Sequence, residues 1–217
     1  MRNRALALAL PLLCAGCFAG TPQTTAYPVP RGKVEWLGSL DGVVIANNLT
    51  DAAGFTGGAG ARLGLGHNMD AGVRLSSTYA AADFKLTLWK DSIAAVALLP
   101  RVQGTWPLLA LLVEAPVLFT ARFGDVVSVN MMGGYRHLLS NTIRAERLGD
   151  PAHSVNGGYF NVAFGPLFAI TDGFGIAPEI SGSYPILGRA APTTFIVSGS
   201  LGLRFGAVRP QFQDLPE

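Results

Sequence analysis

Beyond residue 31 the chain alternates between apolar and small or polar positions. Ala59, Ala61, Leu63 and Leu65 fall on one side of an extended backbone, and Gly60, Arg62, Gly64 and Gly66 on the other. This period of two places successive side chains on opposite faces of a strand. The same rhythm returns where Ala71, Val73, Leu75 and Tyr79 alternate with Gly72, Arg74, Ser76 and Thr78. Phe84, Leu86 and Leu88 alternate with Asp83, Lys85 and Thr87, and Phe195, Val197, Leu201, Leu203 and Phe205 with Thr194, Ser198, Ser200 and Arg204. The pattern predicts ten strands, over 33–44, 58–66, 70–79, 83–90, 92–103, 108–123, 126–137, 158–170, 174–185 and 193–206. Leu109, Leu111, Val113, Ala115, Val117, Phe119, Ala121 and Phe123 keep one parity across Pro116. Proline usually demotes a strand, so the sixth element reads as one long strand with a local bulge. The fifth is apolar on both faces, and a helical hairpin through 93–121 is its alternative.

If these strands run up and down, their connections sort onto two ends. One end takes 67–69, 91, 124–125 and 171–173, all short. The other takes 45–57, 80–82, 104–107, 138–157 and 186–192, with both long loops. Short turns at one rim and longer loops at the other are the habit of bacterial outer-membrane barrels, and an even strand number leaves both ends of the sheet at the short-turn rim. After residue 31 no apolar run approaches the ~18 residues of a membrane helix. In lipid every backbone N–H and C=O needs a partner, which leaves a closed barrel as the way for strands to span.

The N-terminus has a different character. Met1-Arg2-Asn3-Arg4 is a basic start, and Ala5 to Leu13 is an apolar run too short to span a bilayer. Together they have the form of a secretory signal. Leu13-Cys14-Ala15-Gly16-Cys17 resembles the lipobox of bacterial lipoproteins, with Cys14 where that motif usually carries Leu. The resemblance implies cleavage after residue 16 and acylation of Cys17; an ordinary signal peptide is the alternative. Phe18 follows Cys17 where an Asp would imply retention at the inner membrane, so the resemblance implies the outer membrane. The expected organisation is a signal peptide over 1–16, a lipidated extended tether over 17–31, a barrel over 32–206 and a polar tail over 207–217.

Composition narrows the reading. Charged residues make up 14% of the 217, against about a quarter in ordinary soluble domains. Removing residues 1–16 takes Arg2 and Arg4 away and leaves 14 basic and 14 acidic side chains, so no basic excess points to nucleic acid. With no cysteine after Cys17, a disulfide framework and a thiolate metal site are both excluded. Charges of both signs lie on the small face: Arg62, Arg74, Lys85, Arg122 and Arg204 against Glu35, Asp41, Asp83, Glu114 and Glu179. Since a lone buried charge is costly, equal numbers imply a lumen filled by paired side chains. A soluble lipocalin-like barrel, apolar within and polar without, is the alternative architecture. The chain resembles a loose class of uncharacterised bacterial outer-membrane lipoproteins through GARLGLGHNMDAGVRL (60–75) and the Phe-bearing last strand SLGLRFG (200–206). That resemblance implies an all-β, up-and-down antiparallel transmembrane barrel of about ten strands, anchored through Cys17 with both termini periplasmic.

Candidate chemistry is sparse. His67, His137 and His153 have no ligand at metal spacing, and no nucleotide loop or nucleophile elbow occurs, so neither metal nor cofactor is expected. Arg136-His137-Leu138-Leu139-Ser140-Asn141 is similar to the H-x-S-N motif of outer-membrane lipid A deacylases, with Glu146 available to orient the imidazole. There His and Ser lie two apart on one strand face; here they lie three apart, so a bulge is required. The omptin protease pairs Asp-x-Asp and Asp-x-His do not occur in this chain.

Three functions remain open. One is a structural or protein-binding barrel, meeting outer-membrane lipids along its wall and a protein partner through loops 45–57 and 138–157. Another is a conduit or binder for apolar molecules, with Val96, Leu98, Val102, Leu112 and Leu118 expected inside. The third is a deacylase-like enzyme resting on His137 and Ser140.

Overall fold

The computed structural model describes residues 23–46, 52–106, 110–139, 157–188, 195–206 and 208. Eleven strand segments follow one another: β1 (Val34–Ala46), β2 (Ala52–Gly64), β3 (Met69–Ser76), β4 (Tyr79–Lys90), β5 (Ala94–Leu98), β6 (Arg101–Thr105), β7 (Ala110–Phe123), β8 (Val127–Leu139), β9 (Gly157–Thr171), β10 (Phe174–Gly188) and β11 (Phe195–Gly206). Apart from β5 and β6, which do not pair with each other, successive strands pair antiparallel, and β1 pairs with β11 from Glu35↔Gly206 to Ala46↔Phe195, closing the sheet. β5 and β6 occupy one wall position, since both pair with β4 on one side and β7 on the other. The architecture is therefore a closed ten-stranded up-and-down barrel, as the alternation predicts.

Four local expectations are corrected. The fifth strand is interrupted at Leu99–Pro100, while β7 runs through Pro116 without a register shift, so no bulge forms there. Pro100 and Pro116 both lack an N–H and are brought close together, because Leu98 pairs with Val117 and Arg101 with Glu114. The turn expected at 80–82 lies at Ser77–Thr78, where the Ser76 hydroxyl accepts hydrogen bonds from the N–H groups of Thr78 and Tyr79. This serine turn displaces the reversal from the featureless alanines, and Tyr79 consequently points inward rather than with Leu75. The stretch 52–57 expected in a loop belongs to β2, with Ala52 opposite Ile45 and Gly57 opposite Leu40. Finally, the fifth strand has the opposite parity from that expected. Val102 is exposed and Val96 and Leu98 half-buried on the outer face, while Ala95, Ala97 and Leu99 are buried; Leu112 and Leu118 do face inward. Arg101 and Gln103, on the same parity as Ala95 and Ala97, draw that face into the polar interior.

The outer wall is apolar along its length and aromatic at both rims. Trp36, Trp89, Phe123, Phe168 and Phe205 lie outward towards the short-turn end, and Phe55, Trp106, Tyr135, Phe160, Tyr184 and Phe195 towards the other. Across neighbouring strands Phe174 stacks on Phe205 at 5.2 Å between ring centroids, and Tyr184 on Phe195 at 5.4 Å. Ten residues separate the two members on each strand. At about 3.3 Å per residue and a tilt of ~40°, that distance gives a band about 25 Å tall, the height of the apolar belt of a transmembrane barrel.

Candidate functional site: an occupied lumen

The interior is built by the inward parity of each strand. Lys85 bonds Asp70 at 3.0 Å, and Arg62 bonds both Asp70 and Asp83. Arg101 lies 3.8 Å from Asp83 and 3.0 Å from Glu114, and Arg136 lies 2.8 Å from the other oxygen of Glu114. Alternating charges thus run without a break from β4 to β8, and Arg204 with Glu35 adds a pair at the β11–β1 seam. Cross-strand register makes this possible: Asp70 stands opposite Lys85, Asp83 opposite Arg101, and Glu114 opposite both Arg101 and Arg136. Between Arg62 and Asp83 stands Gly72, paired with both. A Cβ there would sit 2.8 Å from the Arg62 guanidinium and 3.0 Å from the Asp83 carboxylate, so the missing side chain is the passage through which the pair meets. Arg74 faces Tyr79 and Asp41.

Of the sequence candidates, Glu35, Asp41, Arg62, Arg74, Asp83, Lys85, Glu114, Glu179 and Arg204 all lie in this interior. Arg122 stands at the short-turn rim instead, bonded to exposed Asp125 at 3.1 Å and 5.9 Å from the Tyr27 ring. Sequence reasoning missed Asp70, Arg101 and Arg136, which complete the chain of pairs. Asp70 shares parity with Gly72 and Arg74, and Arg101 with Gln103 and Thr105, so extending the alternation by one step would have found both. His137 points outward, its Nδ1 2.6 Å from the Tyr135 hydroxyl. Through Leu139 the β7–β8 register has no bulge that would bring the next residues onto the same face. Ser140, Glu146 and Cys17 lie outside the described residues. Among the described residues no group of three His, Cys, Asp or Glu side chains is placed to hold a metal.

What fills the centre is the chain itself. Gln23, Thr24, Thr25, Ala26, Tyr27 and Val29, from the stretch read as an extended tether, are almost wholly buried inside the barrel. The Gln23 N–H donates to Glu179 at 2.7 Å, the Ala26 N–H to the Thr120 hydroxyl at 2.7 Å and the Val29 N–H to Asp70 at 3.0 Å. The Lys85 ammonium donates to the carbonyls of Thr25 and Tyr27 at 2.8 and 2.7 Å, and the Thr87 hydroxyl to that of Ala26 at 2.8 Å. Glu179 is midway between Phe174 and Tyr184, so Gln23 sits near mid-height of the belt. The segment descends from there to the short-turn rim, where Arg31 bridges Gly64. Its other side rests on an apolar wall of Ala95, Ala97, Leu99, Leu118, Met132 and Ala163, which packs against Ala26 and Tyr27. The Tyr27 hydroxyl donates to the Asp91 carbonyl at 3.0 Å.

These features define a closed ten-stranded antiparallel barrel with an apolar, aromatic-girdled exterior and a polar, self-occupied interior. No family model and no curated protein matches the sequence. Solved structures of similar shape include bacterial outer-membrane barrels. Neisserial surface protein A is 12% identical over 79% of this chain and 96% of its own, with a TM-score of 0.43. The attachment invasion locus protein Ail of Yersinia pestis is 9% identical over 81% and 99%, at 0.41, and the outer membrane protease OmpT of Escherichia coli 8% over 82% and 97%, at 0.47. None of these likenesses assigns an activity.

Proposed function

We propose that this chain is an outer-membrane β-barrel lipoprotein with a structural or protein-binding role, its lumen closed by paired charges and by its own residues 23–30. The occupied lumen carries the reading: the interior holds peptide hydrogen-bonded to β3, β4, β7 and β10. The aromatic-bounded belt, about 25 Å tall, supports a place in the membrane, and both ends of the sheet, Val34 and Gly206, lie at the short-turn rim. An acyl anchor together with a barrel makes placement permanent rather than reversible. The loops of the opposite rim, within 45–57 and 138–157, would then meet the partner.

The test is fractionation followed by gel mobility of unboiled and boiled protein, with and without Cys17→Ser, and then conductance in planar bilayers. The expected result is a heat-modifiable band in the outer-membrane fraction, loss of acyl labelling in Cys17→Ser with the barrel still inserted, and no steady conductance. Release of Cys17→Ser to the periplasm with no mobility shift would overturn the reading in favour of a soluble barrel held only by its lipid. A second reading, a conduit or binder for apolar molecules, has one observation in its favour: the apolar inner wall around Leu118. It requires residues 23–30 to leave that wall, and steady conductance or apolar-ligand uptake by the intact chain would establish it.

A further inference from the structure

The contacts that hold residues 23–30 differ in kind from those that build the wall. The strands pair backbone to backbone, and the sheet closes through β1 and β11 without this segment. The segment is held by wall side chains gripping its backbone: Glu179, Thr120 and Asp70 take N–H groups, while Lys85 and Thr87 take carbonyls. Its backbone donors come from Gln23, Ala26 and Val29, three residues apart, with Pro28 and Pro30 between or beyond them, and Gln23 Nε2 and the Tyr27 hydroxyl add side-chain bonds to Asp41 and to the Asp91 carbonyl. The segment bends at Ala26–Tyr27 and Gln23 takes a φ of +47°, so these contacts grip a bent backbone rather than add a strand to the sheet. The segment carries no charge, and among the described residues the wall balances its own, with six buried cations against six anions. Emptying the lumen would therefore leave Lys85 beside Asp70 and every ion pair intact.

We propose that this lumen is a peptide-binding site that reads backbone, with residues 23–30 as its resident ligand, and that the resident exchanges for an uncharged, proline-bearing peptide of the same kind supplied in trans. The inference rests on the closed-lumen reading above and adds to it that the closing element is a separable ligand rather than part of the wall. The recognition is directional. Lys85 spans the carbonyls of Thr25 and Tyr27 while Thr87 takes the one between them, and the Tyr27 ring anchors the lower end between Arg122 and the Asp91 carbonyl.

The test uses the whole chain with a site-specific protease sequence inserted between Gly32 and Lys33. The chain is exposed there, and Gly32 turns it with a φ of +72°. The folded protein is cut in detergent and challenged with a fluorescent, end-capped peptide of sequence TPQTTAYPVP, residues 21–30. The expected result is that the cut segment stays with the barrel on a sizing column, the labelled peptide replaces it, and unlabelled peptide competes. A peptide with Ala26→Pro loses the N–H that Thr120 receives, and Lys85→Met removes the ammonium. Each should weaken binding about ten-fold or more, the effect of one well-placed buried hydrogen bond or charge-assisted contact. Because the Ala26→Pro change is made in the ligand, its result does not depend on a variant barrel folding. Loss of the cut segment with no uptake of labelled peptide, or a segment that resists exchange at any excess, would overturn the proposal. So would equal binding of the Ala26→Pro peptide, which would mean that only apolar packing holds the segment. Heat-modifiable mobility of the cut protein reports the barrel independently, so failure of the peptide site and failure of the barrel reading are told apart.

Discussion

The two walls of the lumen solve the problem of an enclosed interior in opposite ways. From β2 through β4 and β6 to β8 the wall is charged, and nearly every charge touches a partner on an adjacent strand. The ion pairs of this side need nothing from residues 23–30, although Lys85 and Asp70 also bond that segment. The adjoining patch on β5, β7, β8 and β9, nearer the short-turn rim than Glu114 and Arg136, is apolar, and the alanines at 95, 97 and 163 are too small to reach across the lumen. It is complete only when Ala26 and Tyr27 lie against it. The contrast separates what holds the barrel together from what closes it. Ion pairs tie strand to strand, whereas small apolar residues leave a trough that residues 26 and 27 fill.

Substitutions can break this contrast, beginning with the charged wall. Glu114→Gln removes the anion that two buried guanidinium groups, Arg101 and Arg136, share. Breaking a buried pair costs about 3–5 kcal/mol, so the urea midpoint of the refolded barrel should fall sharply or the heat-modifiable band disappear. Gly72→Val puts a side chain where Arg62 crosses to Asp83, and overpacking of this kind costs about 1–3 kcal/mol. Unfolding midpoints should fall less than with Glu114→Gln. On the apolar wall Ala97→Leu crowds the trough by a similar amount, but the strain can be relieved by moving residues 23–30 instead of the strands. Barrel stability should then hold while openings appear in single-channel recordings, and a loss of stability equal to that of Gly72→Val would erase the distinction between the walls. On the outer face Tyr184→Ala loses the ring pair with Phe195, worth about 1 kcal/mol, read as a small shift in the same unfolding curve. The smallest effect is expected for Ser140→Ala. With His137 turned outward and bonded to Tyr135, lipid A from cells making either form should have the same mass. Loss of one hydroxyacyl chain, abolished by Ser140→Ala, would restore the deacylase reading.

The strands were legible where the two faces differ in chemistry. In β3 and β11 an apolar face alternates with one of Gly, Ser and Arg, and both face assignment and boundaries follow to within a few residues. Reading failed where the faces are alike. The fifth strand offers Val96 and Leu98 on one side and Ala97 and Leu99 on the other, and nothing local to β5 says which is inside. Only its continuation through Arg101, and that residue's pairing with Glu114 across the barrel wall, decides the matter. Tyr79 was misplaced for a related reason, because one serine hydroxyl two residues away shifts the turn and with it the parity.

By itself, then, the sequence determined a charge-poor all-β chain of ten strands with short turns at one rim, long loops at the other and opposite charges on the small face. Those properties reside in neighbours along the chain, in a period of two and in the residues that interrupt it. Only the tertiary structure decided that residues 23–30 lie inside. The decisive contact joins Gln23 to Glu179, which lie 156 residues apart, and an uncharged stretch of Thr, Ala and Pro looks the same in sequence whether it hangs in solvent or threads a barrel. The physical reason is that its partners do not exist until β1 meets β11 and the wall closes around it.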